Sequence, residues 1–157
     1  MRLSFLPLLL LPLAQIGLAL PHQKTQPKPC GSNGTTKFPP PCKPIAPRPG
    51  QETDKRFFRY GEAFIVDKDL TKAFRYISAN YTNHHPGAGS TVAAFNDLSQ
   101  LWPPMNITVL RIAFKGDTGW LNYLANGTEV VDRYRWESGC IVEHWDEGEV
   151  FPDCGVF

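Results

Sequence analysis

Apolar positions recur at helical spacing once the chain passes residue 51. Phe57, Tyr60, Phe64 and Ile65 stand at i, i+3, i+7 and i+8, with Lys55, Arg56, Arg59 and Glu62 between them. That spacing predicts an amphipathic helix capped by Thr53 or Asp54. A second helix is expected from the cap Asp69, with Leu70, Ala73, Phe74 and Ile77 as its apolar stripe. The segment Tyr81 to Pro86 reads as a short connection into the Gly-rich loop Gly87 to Gly89, and a third helix over about 91–101 is stopped by Pro103 and Pro104. From Met105 the period changes. Segments 106–114, 119–125, 128–137 and 140–147 are rich in Val, Ile, Tyr and Trp, and are separated by Lys115-Gly116-Asp117, Asn126-Gly127 and Ser138-Gly139. They read as four antiparallel strands. Helices followed by a meander predict an α+β domain whose helices cover one face of the sheet. No internal repeat is present.

The first fifty residues have a different character. Residues 1–19 carry one Arg, a Leu-rich run interrupted by Pro7, Pro12 and Gln15, and small residues at Gly17 and Ala19. This is the pattern of a cleaved secretory signal peptide rather than a membrane anchor. Residues 20–50 hold nine prolines and five Lys/Arg with no Asp/Glu, which predicts a basic, Pro-rich, disordered arm. Residues 51–157 carry ten Lys/Arg against fifteen Asp/Glu and form the folded domain. With 157 residues, 42% apolar and a formal charge of +1, the chain suits one domain and gives no electrostatic reason to bind nucleic acid. No other stretch is long enough to cross a bilayer, so no membrane association is expected after signal cleavage.

Four glycosylation sequons, at Asn33, Asn80, Asn106 and Asn126, agree with export. An oxidising compartment turns Cys30, Cys42, Cys140 and Cys154 into expected disulfides. Three pairings are open; closeness in sequence favours Cys30 with Cys42 and Cys140 with Cys154. No CxxC or HxxxH spacing is present, so no metal site is expected. His84 and His85 are adjacent, and neighbours in a strand point to opposite faces.

The register of the last hairpin decides which side chains meet. A two-residue turn would set Arg133 opposite His144 and Asp132 opposite Trp145. A three-residue loop at Glu137-Ser138-Gly139 instead sets Asp132 opposite His144 and Arg133 opposite Glu143, two complementary pairs. The second register is therefore expected. It gathers Val130, Asp132, Tyr134, Trp136, Val142, His144 and Asp146 on one face, and Arg133, Arg135, Glu143 and Trp145 on the other. Asp, His and Asp amid aromatic and aliphatic side chains suit general acid/base chemistry. An Asp132–His144 pair that merely fixes strand register is the plainer alternative.

Asn83-His84-His85-Pro86 after two amphipathic helices, Val131-Asp132-Arg133-Tyr134-Arg135-Trp136, and Gly139-Cys140-Ile141-Val142-Glu143-His144-Trp145-Asp146 resemble the SnoaL-like polyketide cyclase family of the nuclear transport factor 2-like superfamily. The resemblance covers roughly residues 52–149 and is strongest in the terminal strand. It implies a cone-shaped α+β fold, a strongly curved antiparallel sheet enclosing an apolar pocket, in a secreted fungal-type member. It also implies an aldol-type ring closure without cofactor, with Asp146 as general acid/base, His84 before the loop, and Asp132 and His144 lining the pocket. Tyr60, Trp120, Tyr123, Tyr134, Trp136 and Val142 are the expected pocket walls. The signal peptide, basic arm, sequons and cysteines depart from the family's intracellular enzymes. Two functions follow: a cofactor-free cyclase or isomerase acting on a small apolar carbonyl metabolite, or a non-catalytic secreted binding protein or effector using the same pocket. A homodimer through the outer sheet face is the expected assembly.

Overall fold

The computed structural model describes residues 37–46 and 52–153. The signal segment, Cys30, Asn33 and Cys154 lie outside the described residues, as does most of the basic arm.

The first helical pattern forms α1 (Glu52–Gly61), which runs on as one π-helical stretch, Glu62–Val66. Asp69 caps α2 (Leu70–Ala73), its carboxylate accepting from Lys72 N at 2.9 Å. A 3-10 turn, Phe74–Tyr76, follows. Helix α3 (Thr91–Leu101) starts at Ser90, whose hydroxyl oxygen accepts from Ala93 N. Trp102 closes its C-terminus and is followed by the two prolines. The sheet strands are β1 (Ile77–Asn83), β2 (Ile107–Lys115), β3 (Thr118–Ala125), β4 (Thr128–Glu137) and β5 (Cys140–Trp145), in the order β1-β5-β4-β3-β2. Three helices on a five-stranded sheet make the expected α+β architecture.

The meander β2–β5 is antiparallel as expected, but β1 was not anticipated and joins β5 in parallel, so the sheet is mixed. Ile77, read from spacing as the end of a helical stripe, begins that strand. Its carbonyl accepts from Cys42 N at 2.8 Å.

One core fills the space between helices and sheet. Phe57, Tyr60 and Phe64 from the first helical run, Phe95 from α3, and Leu121, Tyr134, Trp136 and Ile141 from the strands are all buried in it. Helix and sheet approach so closely at Gly119 that a Cβ there would collide with the Phe57 ring. That fixes α1 across the N-terminal end of β3. The Trp102 indole donates to the Phe64 carbonyl at 2.6 Å and stacks on the Phe64 ring, tying the end of α3 to the π-helical stretch.

Residues 37–46, expected to belong to a disordered arm, pack against the domain. Phe38 meets Phe74 and Phe95 edge-on, and Ile45 N bonds to the Ser138 carbonyl at 2.9 Å. Cys42 bonds to Cys140 with Cα atoms 5.8 Å apart, the two standing 98 positions apart in sequence. This corrects the pairing by proximity. An aromatic anchor and a cross-link overcome the polar, Pro-rich composition of this short stretch.

Candidate functional site

The last hairpin adopts neither of the two simple registers. Ser138 and Gly139 both have positive φ, 48° and 75°, so a two-residue turn of the primed type sets Glu137 opposite Cys140. A bulge then leaves Val142 without a partner: Trp136 pairs with Ile141 but Arg135 with Glu143. His144 consequently lies opposite Tyr134 and Arg133 opposite Trp145, replacing the expected Asp132–His144 and Arg133–Glu143 pairs. The face of His144 survives this correction, because the bulge restores parity beyond it. The face of Val142 does not. It lies with Arg135 and Glu143 beside a shallow outer depression, and Ile141 takes its place in the core.

On the inner face Asp132 is the hub. Its Oδ2 accepts from the hydroxyls of Tyr123 and Tyr134, each at 2.9 Å, and its Oδ1 lies 3.2 Å from His144 Nε2. Asp132 is 3% exposed, so these contacts are what make a buried carboxylate tolerable. Burial pushes the hydroxyls of Tyr123, Tyr134 and Tyr60 far above the ordinary phenol range, and the Asp132 charge raises them further. They therefore remain donors throughout the physiological range. Tyr60 stands one step behind, hydrogen-bonded to Tyr134.

His144 Nδ1 meets Asn83 Oδ1 at 3.1 Å, and the same oxygen accepts from His85 N at 3.0 Å. Both ring nitrogens of His144 thus face acceptor oxygens. Asn83 comes from β1, the unanticipated strand, and is a site residue the sequence pattern did not reveal.

Asp146, just past β5, closes the set. His85 Nδ1 contacts its carboxylate at 2.9 Å, and Glu147 N donates to Oδ1 at 2.7 Å. Asp146 is thereby partnered by His85, whereas His84, the histidine that the resemblance places before the loop, does not reach it. His84 lies on the outer face, stacked on Trp145 with ring centroids 4.4 Å apart and 2.9 Å from Glu143 Oε2. Strand alternation at the end of β1 makes this division: adjacent residues take opposite faces.

These groups surround a cavity of about 440 Å³ roofed by the loop Pro86 to Gly89 and by α3. Its apolar wall is Phe64, Leu98, Trp102, Tyr123 and Val130; its polar wall is Asn83, His85, Asp97, Asp132, His144 and Asp146. Of the expected pocket walls, Tyr123 lines it and Tyr134 reaches it through Asp132. Tyr60 and Trp136 are packed behind, in the core. Trp120 pairs with Arg133 and so occupies the outer face, one residue out of phase with Leu121 and Tyr123. Asp146 and His85 also border a wider groove of about 670 Å³ toward Arg111 and Phe151.

Asp132, His144 and Asp146 each offer a donor atom within 4.8 Å of the others, a spacing a metal ion would accept. The donor set argues otherwise. His144 has no free nitrogen while Asn83 and Asp132 hold it, and Asp132 Oδ2 already serves two hydroxyls. A reacting atom placed among these groups would instead be met by the Asp146 carboxylate and by a histidine edge.

No family model and no curated protein matches the chain. Solved structures similar to it include a SnoaL-like protein of unknown function from Burkholderia thailandensis, at 11% identity over 67% of this chain and 98% of that one, with a TM-score of 0.49. Another is IdmH, a polyketide cyclase candidate from Streptomyces antibioticus, at 19% identity over 61% and 91% of the chains, TM-score 0.45. A third is an NTF2-like protein of unknown function from Cytophaga hutchinsonii, at 17% identity over 63% and 92%, TM-score 0.47.

Proposed function

We propose that this chain is a secreted SnoaL-like domain that performs cofactor-free general acid/base chemistry on a small apolar carbonyl compound, as a cyclase or isomerase. The observation that carries the reading is the Asp146–His85 pair facing the buried Asp132–His144 pair across one aromatic-walled cavity. Asp146 is the base. Its side chain is 24% exposed, against 5% for Asp132, so it is the carboxylate a ligand can reach. It takes a proton from carbon next to a carbonyl; the C–H electron pair passes into an enolate. The enolate carbon then either attacks a second carbonyl, forming the ring bond and an alkoxide that recovers the proton from Asp146, or is reprotonated elsewhere to give an isomer. The tyrosine hydroxyls and the His144 ring are engaged by Asp132 and Asn83, so they order the polar wall of the cavity rather than donate to the enolate oxygen.

The saturation of His144 and Asp132 by protein partners favours a second reading, a binding protein in which the same network only shapes the pocket. Secretion is supported by the signal pattern and the sequons, and the Cys42–Cys140 bond is compatible with it. No helix among the described residues is long and apolar enough to cross a membrane. The test incubates the purified chain and Asp146→Asn with metabolite extract and compares converted and retained compounds by mass spectrometry. Conversion by the wild type alone supports the enzyme; retention of one unaltered compound by both supports the binding protein.

A further inference from the structure

We propose that N-linked glycans at Asn80 and Asn106 cover the two open edges of the sheet and keep the chain monomeric. The inference rests on export of the chain and not on its acid/base chemistry.

The strand order leaves β1 and β2 as the two edges. An edge strand presents unpaired N–H and C=O groups, and natural sheets shield such rows from pairing with another copy. The edge at β2 is apolar as well as open. Val109 and Leu110 are 39% and 43% exposed there, and a register irregularity between Val109 and Arg111 loosens its ladder with β3. Asn106 stands exposed one residue before this strand, with its sequon threonine, Thr108, exposed on the strand itself. Asn126 is its immediate neighbour: Asn126 N donates to the Asn106 carbonyl, and Asn126 Oδ1 accepts from Asn106 N, both at 2.8 Å. Two sequons therefore meet at the start of the apolar edge.

The other edge carries its sequon within the strand. In Asn80-Tyr81-Thr82 the tyrosine turns inward and packs on the core, so that Asn80 and Thr82 share the outer face, both exposed. Thr82 pairs with Glu143, and Asn80 borders the outer depression beside Arg135 and Val142. A sugar on Asn80 projects over the face through which a homodimer would otherwise form. The modification is a group transfer from a lipid-pyrophosphate-linked oligosaccharide. The Asn Nδ2 bonds to the sugar C1, the bond from C1 to the pyrophosphate oxygen breaks, and one amide proton is lost as the lipid pyrophosphate leaves.

The full chain is produced in a eukaryotic secretory host, mapped by peptide mass spectrometry, and sized by light scattering beside Thr35→Ala/Thr82→Ala/Thr108→Ala/Thr128→Ala, which keeps every asparagine but removes all four sequons. The expected result is sugar on Asn80 and Asn106, a monomeric wild type, and a glycan-free variant that at least doubles in mass at the same concentration while keeping its circular dichroism. Adding Val109→Lys to that variant returns part of the population to monomer. Bare Asn80 or Asn106 in the wild type overturns the proposal, as does a folded glycan-free variant that stays monomeric. A wild-type dimer with bare Asn80 would restore the outer-face dimer in its place. None of these outcomes bears on Asp146→Asn, so the two readings fail separately.

Discussion

Replacing Asp132 by alanine strands three donors at once: the hydroxyls of Tyr123 and Tyr134, and His144 Nε2. All of these groups are buried or nearly so, and water has little room to replace the carboxylate. A buried polar group left without its partner costs about 1–3 kcal/mol, so the variant loses about 4 kcal/mol. That is a large fraction of the roughly 5–15 kcal/mol by which a domain is stable. Asp132→Asn behaves differently. Its amide oxygen still accepts from both tyrosines, and its NH2 donates to His144 Nε2 once the imidazole carries its proton on Nδ1 toward Asn83. That exchange costs about 1 kcal/mol, the worth of a charge-assisted bond traded for a neutral one. Urea unfolding followed by circular dichroism measures both. With a slope of about 1.5 kcal/mol/M, the alanine variant's midpoint falls by about 2–3 M and the asparagine variant's by less than about 1 M. Equal losses for the two variants, or a loss below about 1 kcal/mol for alanine, would refute the reasoning that Asp132 holds this network together.

The Cys42–Cys140 bond closes most of the domain into one loop, its ends 98 positions apart in sequence. Cys42→Ser/Cys140→Ser should lower stability by about 4–5 kcal/mol in the chain-entropy view, read as a urea midpoint shift, and an unchanged midpoint would show that the Phe38 anchor alone holds residues 37–46. Glu143 is held below the usual carboxylate range first by its hydrogen bond to His84 and then by Arg135. Because its folded value lies below its unfolded value of about 4.3, its contribution is present above that pH and is lost as pH falls through the folded value. Glu143→Gln should therefore flatten the acid limb of the stability profile below about pH 4.3, measured by thermal melts; a limb unchanged in shape would contradict the assignment.

Local chemistry made much of this fold legible, and distance in sequence hid the rest. The Asp69 cap, the helix stopped by Pro103 and the Asn126-Gly127 turn are each decided by a few neighbouring residues, and they stand where the pattern puts them. Strand β1 has an alternation of its own, Ile77, Ala79 and Tyr81 against Ser78, Asn80 and Thr82. Ile77 also completes a helical stripe with Leu70, Ala73 and Phe74, and the strand's partner is β5, some sixty residues on. The hairpin register was misjudged for a similar reason. Matching charges across two continuous strands assumes no extra residue, and the bulge at Val142 supplies one. Asp132, His144 and Asp146 still share a cavity, because the bulge shifts partners without turning His144 to the other face. The choice between His84 and His85 depended on the phase of a strand not foreseen, and so the outer histidine was expected in the pocket.

The claim that Asp146 works as a base is tested most directly by deuterium exchange. The wild type and Asp146→Asn are each held in D2O with the compound they retain from extract, and the position next to its carbonyl is followed by mass spectrometry and NMR. The account predicts deuterium washed into that carbon by the wild type and an exchange rate near background for Asp146→Asn. Equal exchange by both, or none by either, would contradict it.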